Sequence, residues 1–324
     1  MKKILALALA VCLVLALGVT AFADAAPMDG GSKLTFTTGG ESGTYFGFGS
    51  VLAQKVSEVT STTVTAITSG GSAANIDALD FGDAQIGFSQ SDVLTYAYTG
   101  TRNFEELGAI NSFSIVAPLY MEQVQIVTLN PEIKTVADLA GKKVSIGAAG
   151  SGVYYNAIDI LGVYGLTEDD ISATYQSFGD SADDLVNGKI DAAFIVAGAP
   201  TTAVTQLAAS SSPYLVSLDE EHIAALQEVS PFYAKAVIAA DVYGTPEDVT
   251  TVAVSAVVIA ANDVADADVY NFLYGVYENL DALAEVHVKA EELSLEFASS
   301  FVGVPYHPGA VQYFADKGIE VPAE

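Results

Sequence analysis

Three kinds of residue are scarce or missing in this sequence. Tryptophan is absent, cysteine occurs once, at Cys12, and arginine occurs once, at Arg102. A single cysteine forms no disulfide within the chain and supplies no cysteine-ligated metal site. Only 12 lysines and arginines stand against 40 aspartates and glutamates, and the formal net charge is −28. Because nucleic acids and anionic lipids bind basic surfaces, this charge balance argues against both as partners.

The start of the chain has the pattern of a secretory signal peptide over residues 1–23. Lys2 and Lys3 precede an apolar run over 4–19, and small residues at Ala21 and Ala23 form a cleavage motif. An uncleaved membrane anchor is the alternative, but the run is short for a spanning helix. We therefore expect an exported protein, periplasmic or extracytoplasmic, that is cleaved near Ala23.

The mature chain that cleavage would leave is more acidic still. The removed residues hold Lys2, Lys3 and the single cysteine but no acid, so the net charge becomes −30. A Gly- and Asp-bearing stretch over 24–33 is predicted to be a flexible tether. The length of about 300 residues that remains suggests two domains or lobes.

Short β-rich runs alternate with helical patterns along the mature chain, as is typical of α/β proteins. The predicted strands lie at 34–38, 62–68, 85–89, 113–119, 120–129, 143–147, 172–177, 190–196 and 251–261. Predicted helices include 73–81, 153–164, 266–283 and 291–300, with a last helix after His307.

Two segments of the chain repeat the same plan. Ser42-Gly-Thr-Tyr45 and Ser151-Gly-Val-Tyr154 each follow a predicted strand and open a helix, and a later glycine, Gly82 or Gly188, precedes a further strand in each case. This order predicts two similar α/β lobes. Ligands of open α/β sheets sit at the carboxyl ends of the strands, so two such edges facing each other would make a cleft.

Neither catalysis nor a bound cofactor is indicated. His222, His287 and His307 are the only histidines, no Gly-x-Ser-x-Gly motif occurs, and no spacing suggests a metal site. The loop at 147–152 is rich in glycine but lacks the full spacing of a dinucleotide fingerprint, so it is better suited to hold an anion. The glycine loop at 39–49 allows two interpretations, an ordinary βα turn or an anion site, and by itself it leaves both open.

What remains is a group of small polar residues at the predicted loop ends, which we expect to converge on the cleft. They are Thr44, Tyr45, Ser72, Asn75, Gln90, Asp92, Ser151, Val153 and Ser177. Neutral donors and helix N-termini can hold a carboxylate without arginine, and an acid such as Asp92 could accept a hydrogen bond from an ammonium group.

At this point the chain resembles a known family, the TAXI substrate-binding proteins of TRAP transporters. The resemblance is carried by the stretches 39–49, 69–79, 87–92, 141–152, 191–200, 231–233 and 248–254, in this order. It covers essentially the whole mature chain. It implies a type II periplasmic-binding fold of two α/β lobes, which we place at 34–119 plus 237–324 and at 120–236.

The resemblance also implies a function. Proteins of this family capture a small solute, commonly glutamate, glutamine or a related dicarboxylate, and deliver it to a membrane permease driven by an ion gradient. The ligand contacts that carry over are Thr44, Tyr45, Ser72, Asn75, Gln90 and Asp92, with Gly150, Ser151, Gly152 and Val153 from the other lobe. The chain departs from the family at Gln125, where His is frequent, and at Val153, where Thr is frequent, and the second change removes one donor to a carboxylate.

We therefore expect a solute receptor and not an enzyme, acting as a monomer with permease subunits as its partner. Two alternatives stay open. A sensor domain would keep the fold and pass the ligand signal to a membrane signalling protein. An exported hydrolase would need a histidine near a serine and an acid within the cleft.

Overall fold

The computed structural model of the protein describes residues 25–323. The predicted signal peptide lies outside the described residues. The tether predicted over 24–33 contacts the rest of the fold. The Met28 N–H donates to Asn271 Oδ1 at 2.7 Å, and the Ser32 N–H donates to Asp268 Oδ1 at 2.8 Å. Lys33 already belongs to the first strand. The flexibility of this segment remains a prediction.

Ten strands within the described part of the chain form one mixed sheet. In chain order they are β1 Lys33–Thr37, β2 Thr63–Ile67, β3 Ile86–Gln90, β4 Phe113–Thr128, β5 Lys143–Ser145, β6 Ser172–Thr174, β7 Ala192–Ala197, β8 Tyr214–Leu215, β9 Ala234–Ile238 and β10 Val249–Ala261. The main path through the sheet is β2-β1-β3-β10-β4-β7-β5-β6, while β8 pairs with β4 and β9 with β10.

Two long central strands join two parallel halves of this sheet. Strands β1, β2 and β3 are parallel to one another, and so are β5, β6 and β7. Between them, β4 and β10 run antiparallel to each other and to their outer neighbours. The first half of β4 pairs with the end of β10, and its second half pairs with β7. Each parallel half therefore keeps its own set of strand ends, as the duplicated plan predicts.

Helices follow the strands of each half and cover the sheet. They are α1 Thr44–Val59, α2 Ser72–Asp80, α3 Ser91–Thr99, α4 Val153–Val163, α5 Phe178–Val186, α6 Thr202–Ser210, α7 Glu220–Val229, α8 Ala240–Tyr243, α9 Asp266–Tyr277, α10 Leu280–Ala284, α11 Leu295–Ala298 and α12 Pro308–Asp316. In α1 the apolar side chains at Phe48, Leu52 and Val56 recur every four residues and are buried, because that spacing puts them on one face. No helix within residues 25–323 is long and apolar enough to cross a membrane.

Most predicted elements lie within a few residues of the observed ones, with three differences. The predictions at 113–119 and 120–129 are one strand, because β4 pairs with β10, with two register shifts along the pairing, and then with β7. The helix predicted over 266–283 breaks at Glu278–Asn279, where the Asn279 side chain donates to the Gly275 carbonyl and competes with the helical pattern. The prediction at 291–300 is only the short helix α11 after a 3₁₀ turn, Val288–Glu292.

Buried apolar side chains fall into clusters that separate the two halves. One cluster joins α1 to the carboxyl-terminal part of β10, including Phe48 and Val257. Two others join β7 to its neighbours, and these include Ile238, Val249 and Val254. Residues 237–254 thus pack with the half that holds 120–236. The division into lobes remains a prediction, and this packing favours a second boundary near 254 rather than 236.

Candidate functional site

A cavity of about 480 Å³ lies where loops of the two parallel halves meet. Its lining comes from the turn after β1, the loop after β2, the end of β3, the middle of β4, the loops after β5 and β6 and the end of β7. Apart from β4, these are the carboxyl ends of parallel strands, where the α/β architecture leaves loops free to hold a ligand. A volume of this size is typical of small-molecule sites.

Three helices begin at the cavity with a glycine as N-cap. Gly43 precedes α1, Gly71 precedes α2 and Gly152 precedes α4, and none of these N-termini is capped by a side chain. The first N–H groups of a helix have no partner within it, and the helix dipole adds partial positive charge there. Convergence of three such ends favours an anionic or acceptor group in the cavity.

The sequence prediction that Thr44 and Val153 open equivalent helices is confirmed by α1 and α4. Gly152 approaches the opposite wall most closely. A Cβ at this position would lie 1.3 Å from Gln90 Oε1 and 2.9 Å from Ser72 Oγ. Only glycine lets the start of α4 come so near to β3 and α2.

Several hydrogen bonds tie the two sides of the cavity together. The Thr44 hydroxyl donates to the Gly198 carbonyl at 2.8 Å, and the Ala203 N–H donates to the Ser42 carbonyl at 3.1 Å. The Ala74 N–H donates to the Gly150 carbonyl at 3.1 Å. The structure therefore has the two halves in contact around the cavity.

Eight of the eleven predicted ligand contacts line this cavity. They are Thr44, Tyr45, Ser72, Gln90, Ser151, Gly152, Val153 and Ser177. Ser151 differs from the rest because its Oγ is buried and has no hydrogen-bond partner among the described residues. A buried hydroxyl without a partner is costly, so this group is suited to a ligand.

The other three predicted contacts do not line the cavity. Asn75 is fully buried, and its side chain donates to the Thr38 and Phe88 carbonyls and accepts from the Thr37 hydroxyl. The Gly150 carbonyl accepts from Ala74. Asp92 lies in the polar network described next. A ligand-contact role for these three remains a prediction, and their bonds to the protein favour a supporting role instead.

A buried polar network centred on Asn156 joins the two halves beside the cavity. Asn156 Nδ2 donates to Asp92 Oδ2 at 2.8 Å and to the Tyr233 hydroxyl at 2.9 Å, and its Oδ1 accepts from Gln90 Nε2 at 2.7 Å. The Tyr233 hydroxyl donates to Asp159 Oδ2 at 2.9 Å, and Arg102 pairs with the other oxygen of Asp159. Burial raises the pKa of Asp92 to about 6, although the Asn156 bond opposes this shift.

Glu122 is a residue of the cavity wall that sequence reasoning missed. It lies in the middle of β4, is 2% exposed, and its Oε2 accepts a hydrogen bond from the Tyr45 hydroxyl at 3.1 Å. The Tyr45 ring stacks on Phe88 with centroids 4.5 Å apart, which fixes the hydroxyl. Burial raises the pKa of Glu122 well above its usual range. The available signal was an acid inside an otherwise buried strand.

No histidine lines the cavity. His222 stacks on Tyr164 and pairs with Asp219, and His287 stacks on Phe48. His307 is the N-cap of α12, the helix predicted to follow it. Within residues 25–323, no group of three or more His, Cys, Asp or Glu side chains could hold a metal ion.

Comparison with known proteins decides the family. The model of the NMT1-like family matches residues 36–318, which is nearly the whole described chain. The chain belongs to the NMT1-like family. This match does not test the more specific resemblance to TAXI proteins of TRAP transporters, which remains a prediction.

Solved structures share the fold of this NMT1-like chain at low identity. A protein from Bordetella bronchiseptica RB50 is 16% identical with a TM-score of 0.52, covering 90% of each chain. The ligand-binding component of an ABC-type import system from Staphylococcus aureus, solved with zinc bound, is 10% identical with a TM-score of 0.51, covering 90% of this chain and 94% of that one. The alkanesulfonate-binding protein SsuA from Xanthomonas axonopodis pv. citri bound to MOPS is 15% identical with a TM-score of 0.47, covering 90% and 85%. The two structures with TM-scores above 0.5 show that the NMT1-like chain has the mixed α/β periplasmic-binding-protein fold that the sequence predicts.

Proposed function

We propose that this protein is an extracytoplasmic receptor that captures a small carboxylate-bearing solute in the cavity and delivers it to a membrane transporter. The observation that carries the proposal is the meeting of three glycine-capped helix N-termini around a cavity that also holds the partnerless Ser151 hydroxyl. Backbone N–H groups and a neutral hydroxyl suit a carboxylate. The family and the fold support the receptor role.

We propose glutamate, glutamine or a related dicarboxylate as ligand, and a TRAP-type permease as partner, from the resemblance of the sequence to TAXI proteins. The Staphylococcus aureus ligand-binding component belongs instead to an ABC-type import system. The energy source distinguishes a TRAP-type permease from an ABC-type import system. If the partner is TRAP-type, uptake into vesicles that hold the cognate permease should need an ion gradient and no ATP. Dependence on ATP would overturn the TRAP part of the proposal and leave the receptor part standing.

Two alternative functions are weaker on the same evidence. An exported hydrolase requires a histidine beside a serine and an acid in the cleft, and none of the three histidines lines the cavity. A sensor domain would use the same site and the same fold, so it differs from a transport receptor only in its membrane partner. Capture of a permease subunit by the ligand-loaded protein favours transport.

Ligand binding is tested first on protein freed of carried-over solute by unfolding and refolding. Amino acids and C4–C6 dicarboxylates at millimolar concentration should raise the thermal midpoint through mass action, while sugars and nucleosides should not. If no solute of this panel moves the midpoint, the proposed ligand class is wrong.

Ser151→Ala tests the site itself. The Ser151 hydroxyl makes no bond within the described protein, so its removal should leave the unliganded midpoint unchanged or slightly higher. Affinity for the strongest ligand of the panel should fall about tenfold, the cost of one hydrogen bond to a charged group. Calorimetric titration gives both numbers.

The matched control is Ser299→Ala, since the Ser299 hydroxyl bonds to the Leu295 carbonyl in helix α11, whose residues do not line the cavity. It should lower the midpoint slightly and leave the affinity intact. Equal affinities of the Ser151 and Ser299 variants would place the ligand elsewhere.

A further inference from the structure

The acid groups of the cavity wall are divided between its edge and its interior. Four acidic residues line the cavity, and no lysine, arginine or histidine does. Glu41, Asp180 and Asp183 are exposed. Glu122 is the buried one, on the wall that β4 provides.

Glu122 has one oxygen without a partner. Its Oε2 accepts from the Tyr45 hydroxyl, and its Oε1 has no hydrogen bond to any residue that the structure describes. The side chain is 2% exposed and lines the cavity, so a ligand bound in the cavity can reach Oε1. The same cavity is also lined by Ser151, whose hydroxyl has no partner.

The cavity thus has two chemically opposite parts. The helix N-termini at Gly71 and Gly152 present N–H groups, which favour a carboxylate. Glu122 presents a carboxyl group, which favours a donor, and most strongly a cationic one. A simple dicarboxylate can bind the helix N–H groups with one carboxylate, but its other carboxylate would bring an anion near Glu122. An amino acid offers a carboxylate to the N–H groups and an ammonium group to Glu122.

We propose that Glu122 is a specificity-determining residue that binds the protonated amine of the ligand and so selects an amino acid over the matching acid without an amine. This inference rests on the proposed receptor function. It goes further because it chooses within the ligand class and assigns the choice to a residue that the sequence analysis did not single out.

The proposal includes a proton step. Burial favours the neutral carboxyl form of Glu122 in the empty cavity, since an isolated charge there is poorly solvated. When an ammonium group binds, the carboxyl proton leaves to solvent, the ammonium keeps its own protons, and the two groups form an ion pair. Binding should therefore release about one proton at neutral pH, and affinity should weaken as pH falls.

Other charged groups that face Glu122 act in both directions. Asp92 on α3 opposes its ionisation, and Lys289 favours it. Lys289 is itself buried, pairs with Glu292 and lies 5.8 Å above the Tyr120 ring. Tyr45 stabilises the charged form through its hydrogen bond. Burial is the largest influence, so the neutral form prevails until a cation arrives.

The test uses probe pairs that differ only by the amino group: L-glutamate with glutarate, and L-aspartate with succinate. The full mature chain should bind one of the amino acids at least tenfold more tightly than its partner acid. Titrations in phosphate and in Tris, whose ionisation enthalpies differ, should show release of about one proton. Glu122→Gln should weaken the amino acid by about ten- to hundredfold, release no proton and reduce the preference over the partner acid.

Gln is a suitable substitution because it resembles the neutral carboxyl group, and its oxygen can still accept from Tyr45. The unliganded midpoint of the variant at pH 7 should therefore stay near that of the parent chain. Glu132→Gln, at an exposed turn, is the control and should change neither affinity nor proton release.

The outcomes separate this inference from the function on which it rests. Tight amino-acid binding that Glu122→Gln leaves unchanged, or that releases no proton, overturns the role of Glu122 and keeps the receptor. If the protein instead prefers the acids without an amine, the role of Glu122 is likewise overturned and the receptor function stands. Absence of binding by any amino acid or dicarboxylate overturns both.

Discussion

The cavity wall and the Asn156 network occupy the same junction between the two halves of the sheet, yet their polar groups differ in kind. Around Asn156, every side-chain polar atom of the amide has a partner in the protein. In the cavity wall, the Ser151 hydroxyl has none, Glu122 uses one oxygen of two, and three helix N-termini lack side-chain caps. Gln90 belongs to both regions.

This difference separates structural polar residues from binding residues better than residue type does. Buried polar groups are normally satisfied, because an unmade hydrogen bond costs about 1–3 kcal/mol. A network that is complete without a ligand holds the halves together. A wall that is incomplete without one gains when a solute arrives. Changes in the wall should therefore alter affinity, and changes in the network should alter stability.

The largest expected effect comes from closing the space at the start of α4. Gly152→Ala keeps an allowed backbone, since Gly152 has a φ of −71°. Its new Cβ, however, would occupy the position of Gln90 Oε1, and moving that side chain breaks its bond to Asn156. We expect affinity for the best ligand to fall at least about a hundredfold, or about 3 kcal/mol.

Gly162→Ala in the same helix is the control, because no atom lies within 4 Å of its added Cβ. It should raise the free energy of unfolding by about 0.5–1 kcal/mol through helix propensity and leave affinity unchanged. If calorimetry gives the same affinity for the Gly152 and Gly162 variants, the close approach of α4 to β3 does not shape the cavity.

The comparison also explains how far the sequence could be interpreted. The repeated Ser-Gly-x-Tyr motif predicted both helix starts, because local turn chemistry determines where α1 and α4 begin. Local pattern could not separate Asn75 from Ser72, since both follow the same glycine loop. Only the tertiary partners of Asn75, at Thr37, Thr38 and Phe88, place it outside the cavity.

Glu122 and Asn156 escaped prediction for a related reason. Both lie inside regular elements, where a polar residue is usually assigned to a solvated face. Their neighbours across the fold come from positions 64 to 77 residues away in sequence. Glu122 is buried against Tyr45 of α1, a contact from a distant part of the chain that periodicity within β4 alone does not reveal.

Asn156→Ala should give the next largest effect, on stability rather than affinity. The substitution removes three hydrogen bonds and leaves Asp92, Gln90 and Tyr233 short of partners in a buried place. We expect the free energy of unfolding, measured in urea, to fall by about 3 kcal/mol. Asn187→Ala removes a single exposed bond to the Asp183 carbonyl and should cost less than about 1 kcal/mol. Similar losses in the two variants would mean that the network does not hold the halves together.

The smallest effect concerns the charge of Asp92 within this network. Burial raises its pKa to about 6 in the folded chain, above the unfolded value of 3.8, so folding favours the protonated form. The stabilisation is complete below the unfolded pKa and is lost as pH rises through the folded one.

Between pH 5 and pH 7 the loss amounts to about 1 kcal/mol. Asp92→Asn abolishes this titration, although its amide has one acceptor oxygen in place of two and so loses either the bond from the Val93 N–H or the bond from Asn156 Nδ2 at every pH. Urea unfolding at the two pH values should therefore show the variant gaining about 1 kcal/mol on the parent chain as pH rises, while Asp263→Asn, an exposed acid, shows no such gain. A parallel pH dependence of parent and Asp92 variant would mean that Asp92 is charged throughout, and that even the satisfied network carries an ion.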